Sequence, residues 1–324
     1  MAGCALASDT TDMVPNDANN PASTVPPGFD IQGHRGARGL RPENTLPAFE
    51  AALDLGVTTL ELDLHFTADG EVVIWHDDQI PADKCRLDPG APEPLPPDPD
   101  LATTPVSALM ISKLTLEQVQ KYTCDRNPEP VKFPDQSNEP APLAGSRYQM
   151  VSLAELFDFV DAYGADDNKT LAQRENAQRV QFNMETKRKP DNPGAINDGF
   201  DGTNAGPFEV AIVELVESRG LVERVILQSF DHRSLQAVRK LNPAIRLSAL
   251  TVGRTDLATY AEFGAAIWSP RASDLTPGLL ERAHAAGMSI IPWTVNDPKD
   301  MRRLIDMGVD GLISDRPDVL LALP

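Results

Sequence analysis

Four closely spaced pairs carry the groups in this sequence that could do chemistry together. His34 and Arg35 follow the apolar stretch "FDIQG", Glu61 and Asp63 lie in "TLELDLHF", His76 and Asp77 follow "EVVIW", and Glu185 and Lys187 lie in "NMETK". A two-residue step along a strand puts both side chains on one face. Glu61 and Asp63 would therefore sit side by side and repel unless a positive charge came between them. Alternation alone also allows an exposed face there, because Leu60, Leu62 and Leu64 supply the other side. Glu185 at a matching strand end adds a third carboxylate. Three oxygen donors without a thiolate suit one hard divalent cation, Ca2+ or Mg2+. Lys187 shares the face of Glu185, and Arg35 offers a planar fork that suits phosphate oxygens. His34 and His76 are the candidates for proton transfer, since an unperturbed imidazole titrates near neutrality. His65 is expected to face away from Asp63, and His65, His232 and His284 are read as structural.

Such groups need a frame that brings strand ends together. Strands are expected near residues 30, 60, 182, 226, 248, 267, 291 and 312, with helices between most of them. That alternation predicts an α/β fold, a (β/α)8 TIM barrel, whose active site lies at the C-terminal strand ends. Reading those ends in order adds Gln228, Ser229, Phe230, Trp268, Trp293 and Asn296 to the pairs above. A doubly wound sheet is the alternative, but no Gly-x-Gly-x-x-Gly follows the first strand. "TLPAFEAALDLG" predicts a helix with Asn44 or Thr45 as its N-cap and Gly56 as its stop. "TADG" predicts a tight hairpin returning through residues 71–76. Residues 79–150 are too proline-rich for helix or central strand and predict an inserted subdomain after the second barrel strand, with only "TLEQVQKY" helical.

Composition sets the outer bounds. With 29 Lys and Arg against 48 Asp and Glu, the formal net charge is −19. Such a chain lacks the basic face that nucleic-acid binding needs, and an anionic substrate requires cations gathered locally. No run of eighteen apolar residues occurs, so no transmembrane segment is expected. The start "MAGCALASD" looks like the end of a bacterial lipoprotein signal, making Cys4 a candidate lipid anchor. Residues 1–27 then read as a disordered tether ahead of a 28–324 catalytic domain. An exported compartment, periplasmic or extracellular, would let the remaining Cys85 and Cys124 form a disulfide across the insertion.

The stretch from His34 to Asp77 resembles the glycerophosphodiester phosphodiesterase family: "HRGA" at 34–37, "PENT" at 42–45, "ELD" at 61–63, "TADG" at 67–70 and "HD" at 76–77. "NMETK" at 183–187 and "PWTVN" at 292–296 continue the likeness. Position by position, the resemblance implies metal ligands at Glu61, Asp63 and Glu185, acid–base histidines at His34 and His76, and phosphate-contacting cations at Arg35 and Lys187. It implies metal-dependent hydrolysis of a small-molecule phosphodiester to an alcohol and glycerol 3-phosphate. Trp268, Trp293 and Phe230 would wall the glycerol or alcohol side, and the glycines of the first loop would let backbone approach the phosphate. Two alternatives share this core: a lysophospholipase D-type enzyme, and a surface lipoprotein that holds a phosphodiester without turnover.

Overall fold

The computed structural model describes residues 25–253 and 255–324; Cys4 and residues 5–24 of the expected tether lie outside them. In chain order the strands are β1 (Asp30–Gly33), β2 (Thr59–Phe66), β3 (Val72–Ile74), β4 (Arg86–Leu87), β5 (Tyr122–Thr123), β6 (Gln181–Thr186), β7 (Val225–Ser229), β8 (Arg246–Thr251), β9 (Ile267–Pro270), β10 (Ser289–Ile290) and β11 (Gly311–Ser314). Eight of them form one parallel sheet in the order β10-β9-β8-β7-β6-β2-β1-β11. The N–H of Ile313 donates to the carbonyl of Pro292 at 3.0 Å and that of Val295 to Ile313 at 3.0 Å, which brings the sheet's two ends together. The expected α/β barrel is the fold.

Strand alternation sorts the side chains. Leu60, Leu62 and Leu64 of β2 join Phe182, Met184 and Leu227 in the core between the strands and the helices around them. Ile226, Ile267, Ile291 and Ile313 form a separate cluster inside the ring. Glu61 and Asp63, at 2 % and 1 % exposure, take the inner side, so the exposed-face reading is excluded. The helix Leu46–Leu55 starts at Thr45 and stops at Gly56, whose φ of 81° is left-handed. β3 returns antiparallel to β2 through the expected hairpin.

Three local expectations need correction. "TLEQVQKY" is helical only over Leu116–Val119, and Tyr122 and Thr123 pair with β4 instead. A helix at Leu171–Arg179 was not anticipated, because it is polar along almost its whole length and has no apolar stripe. It is specified by a capping box between Thr170 and Gln173. A short helix at Leu257–Glu262 was also missed.

Residues 79–150, between β3 and the helix Leu153–Ala165, are largely irregular and hold a hydrophobic cluster separate from that of the barrel. Ile80, Leu109, Ile111, Leu114, Val119 and Tyr122 pack with Val73 and Trp75 from the hairpin. Cys85 and Cys124, both buried in that cluster, are joined as a disulfide with their Cα atoms 3.9 Å apart.

Candidate active site

His34 leaves β1 directly into a turn in which Arg35 has φ 53° and Gly36 φ 87°. A Cβ on Gly36 would fall 2.6 Å from the carbonyl carbon of Ala48. This glycine is needed so that the loop can lie against the following helix. The turn aims the N–H of Arg35 at Glu61 Oε2, 2.9 Å away. Asn44, also left-handed at φ 55°, does not cap the helix; its amide donates to Asp63 Oδ2 at 2.8 Å.

The register of β2 on β6 sets Asp63 directly opposite Glu185. One carboxylate oxygen from each of Glu61, Asp63 and Glu185 lies within 4.8 Å of the others, and all three residues are buried. Gln228 donates to Glu61 Oε1 at 2.7 Å, and Lys187 Nζ stands 2.9 Å from Glu185. Asp63 Oδ1 is buried without a hydrogen-bond partner, with the Lys187 ammonium 3.4 Å away. Burial and the charge of Asp63 push Glu61 well above the usual carboxylate range. Burial also raises Glu185, against the pull of Lys187. Asp63 is buried too, yet Lys187 and Arg35 hold it well below that range. Three clustered carboxylates, one with an orphaned oxygen, fit a hard divalent ion that would let all of them ionise together.

Both imidazoles face the same cavity, of about 150 Å3. His34 Nδ1 lies 2.5 Å from Asp315 Oδ1, and Asn296 donates to the other Asp315 oxygen at 2.7 Å. His76 Nδ1 lies 3.1 Å from Asp77 Oδ1, and Lys84 holds the other Asp77 oxygen at 2.5 Å. Asp315 and Asp77 are both held down to about 2, although burial alone would raise them. As ionised acceptors they require each Nδ1 to carry the proton, leaving each Nε2 with its lone pair. Burial lowers both histidines below their ordinary value, opposed by Asp315 at His34 and by Asp63 at His76.

Lys187 and Arg35 line the same cavity, Arg35 with its guanidinium 3.2 Å from Asp63 and 3.0 Å from both oxygens of Glu43. Phe230 and Trp293 line it too, ring edge to face with centroids 5.4 Å apart. Trp268 is not among them. Strand parity turns it outward from Ile267 into the core, fully buried, where its indole donates to Thr251 at 3.0 Å. His65 also departs from expectation, since two residues from Asp63 it shares that residue's face. It is fully buried, with Nε2 3.3 Å from the carbonyl of His76. Arg38 pairs with Glu43 at 2.6 Å and Glu129 at 2.7 Å, whereas Arg41 binds the carbonyls of Ser137 and Glu139.

Sequence reading missed Asp315, Asn44, Glu43 and Lys84 as parts of the site. Asp315 directly follows the eighth barrel strand, so the rule that found the other residues reaches it as well. Lys84, inside a proline-rich stretch, carries no such signal.

The Glycerophosphoryl diester phosphodiesterase family model matches residues 34–319. A glycerophosphodiester phosphodiesterase of Caldanaerobacter subterraneus subsp. tengcongensis is 28% identical, covering 90% of this chain and 96% of that protein. One from Bacillus altitudinis is also 28% identical, over 89% and 95%. The crystal structure of a proposed glycerophosphoryl diester phosphodiesterase from Silicibacter pomeroyi superposes with a TM-score of 0.72 at 26% identity, covering 90% of this chain and 91% of that one. A phosphodiesterase from Oleispira antarctica, solved with its product sn-glycerol-3-phosphate, shares the fold at a TM-score of 0.64 and 19% identity, over 90% and 96%.

Proposed function

The chain belongs to the glycerophosphoryl diester phosphodiesterase family and is a phosphoric diester hydrolase, and on that premise we propose that it cleaves glycerophosphodiesters to an alcohol and glycerol 3-phosphate, with His34 and His76 as the acid–base pair and Glu61, Asp63 and Glu185 as ligands of one divalent cation. The observation that carries this reading is the convergence of two carboxylate-oriented imidazoles on the cavity that Glu61 and Glu185 line, with Asp63 clustered against those two carboxylates. The small-molecule product held by the Oleispira relative supports the same substrate class.

One imidazole takes the proton of the attacking oxygen through Nε2, and the other, protonated, gives one to the departing alkoxide. Asp315 and Asp77 stabilise the imidazolium that each histidine becomes in its turn. Lys187 and Arg35 meet the charge that builds on the equatorial phosphoryl oxygens. A bound Ca2+ or Mg2+ would polarise those oxygens and lower the pKa of the attacking hydroxyl or water. Phe230 and Trp293 face the alcohol side. The Cys85–Cys124 bond supports placement in the periplasm or outside the cell, and a lipid anchor at Cys4 belongs to the same proposal.

Hydrolysis of glycerophosphocholine, followed with and without chelator, tests the reading. Turnover with Ca2+ or Mg2+ that disappears on chelation is the expected result, and full turnover in chelator would remove the metal from the reaction. Faster cleavage of lysophosphatidylcholine to release choline would favour the lysophospholipase D-type alternative. Binding without any cleavage would leave only a holding protein.

A further inference from the structure

A second group of metal-type donors lies beside the first: Glu43, His76 and Asp77 also offer atoms within 4.8 Å of one another. Its centre already has a cation. Lys84 Nζ stands 2.8 Å from Glu43 Oε1 and 2.5 Å from Asp77 Oδ2. We propose that Lys84 is a positioning residue for His76, its ammonium holding Asp77 in the orientation that takes the Nδ1 proton of His76 and leaves Nε2 facing the phosphodiester. This rests on the reading of His76 as an acid–base group.

The need for such a device follows from where His76 sits. It follows β3, a hairpin strand outside the parallel ring, so no barrel strand runs beside it on that flank. Among the described residues, the hydrogen bonds to the Asp77 carboxylate come from His76 and Lys84. Exposed ion pairs contribute little to geometry, but the Lys84 side chain is only 14 % exposed and carries two carboxylates at once. Its backbone is fixed as well. The N–H of Lys84 donates to Pro81 at 3.2 Å, its carbonyl accepts from Arg126 at 3.1 Å, and the next residue is bonded to Cys124. The insertion thus delivers one ammonium to a set place and holds it there.

The test compares Lys84→Met, Lys84→Arg, His76→Ala and the Lys84→Met/His76→Ala double variant in the full chain. Lys84→Met should lower kcat about tenfold, the scale seen when a group that orients a reacting residue is lost, while KM stays within about twofold on the same reasoning. Lys84→Arg should recover most of the loss. On the His76→Ala background the same Lys84→Met change should alter residual kcat by less than about twofold, as coupled residues require. With five histidines in the chain, nitrogen-15 spectra of labelled protein can report the tautomer directly. His76 should be Nδ1-protonated in the native protein and mixed in Lys84→Met, or in Lys84→Gln if the methionine variant does not fold. A wild-type kcat in Lys84→Met, an equal loss on both backgrounds, or an unchanged tautomer overturns the proposal. Near-wild-type kcat in His76→Ala would instead sink the acid–base reading, while the tautomer measurement still decides whether Lys84 orients the ring.

Discussion

His34 and His76 have the same local chemistry, an imidazole whose Nδ1 faces a carboxylate, yet different parts of the chain support them. His34 is held by the barrel itself. Its N–H donates to Ser314 at 2.9 Å, Asp315 follows the last strand, and Asn296 braces Asp315 from the loop after β10. His76 stands on a hairpin and depends on Lys84 from the insertion. Their exposures follow suit, 11 % against 30 %. Closure of the ring therefore orients one member of the pair, and the irregular stretch after β3, with its separate hydrophobic cluster, orients the other.

The largest effect should come from removing either ring. His34→Ala and His76→Ala should each lower kcat by about 10²- to 10⁴-fold in protein whose circular dichroism is unchanged. If only one variant loses activity, the two histidines do not form a pair. Asp315→Asn should cost about 10- to 100-fold by releasing His34 alone; a variant at the native rate would show that barrel support is dispensable. Replacing Cys85 and Cys124 together by serine opens a loop with a sequence separation of 39. It should cost roughly 3 kcal/mol of unfolding free energy and lower kcat through the His76 side, read by denaturant titration and steady-state rates. Unchanged stability would mean that the insertion's packing suffices. The smallest expected effect concerns pH. Burial lowers both imidazoles from 6.5, so the one that acts as base loses its free Nε2 only as pH falls below that value. The acid limb of kcat/KM should lie below pH 6.5, and a limb above it would contradict the buried environment of the pair.

How much of this was legible in the sequence follows the same division. Strand periodicity and strand-end position led to the eight-stranded ring and singled out Glu61, Asp63, Glu185 and His34, because a parallel barrel turns a local pattern into a three-dimensional address, although alternation alone left open which face of β2 is buried. Trp268 failed by a single step of parity: Ile267 points inward and its neighbour outward. Residues 171–179 went unseen because a polar helix has no stripe to read. Lys84 and Glu43 were out of reach for another reason. Their meeting spans 41 residues of chain, much of it irregular, and no period links the two ends.

Glu43 is where three cations of this acidic molecule are drawn together. One buried carboxylate accepts the guanidinium groups of Arg35 and Arg38 and the ammonium of Lys84. Three positive charges are thereby gathered at one carboxylate, and each has a second acidic partner, Asp63 for Arg35, Glu129 for Arg38 and Asp77 for Lys84. Four carboxylates thus meet three cations, so the cluster is a knot of paired charge that ties the first loop to Lys84 and Glu129 and fixes Arg35 where it lines the cavity.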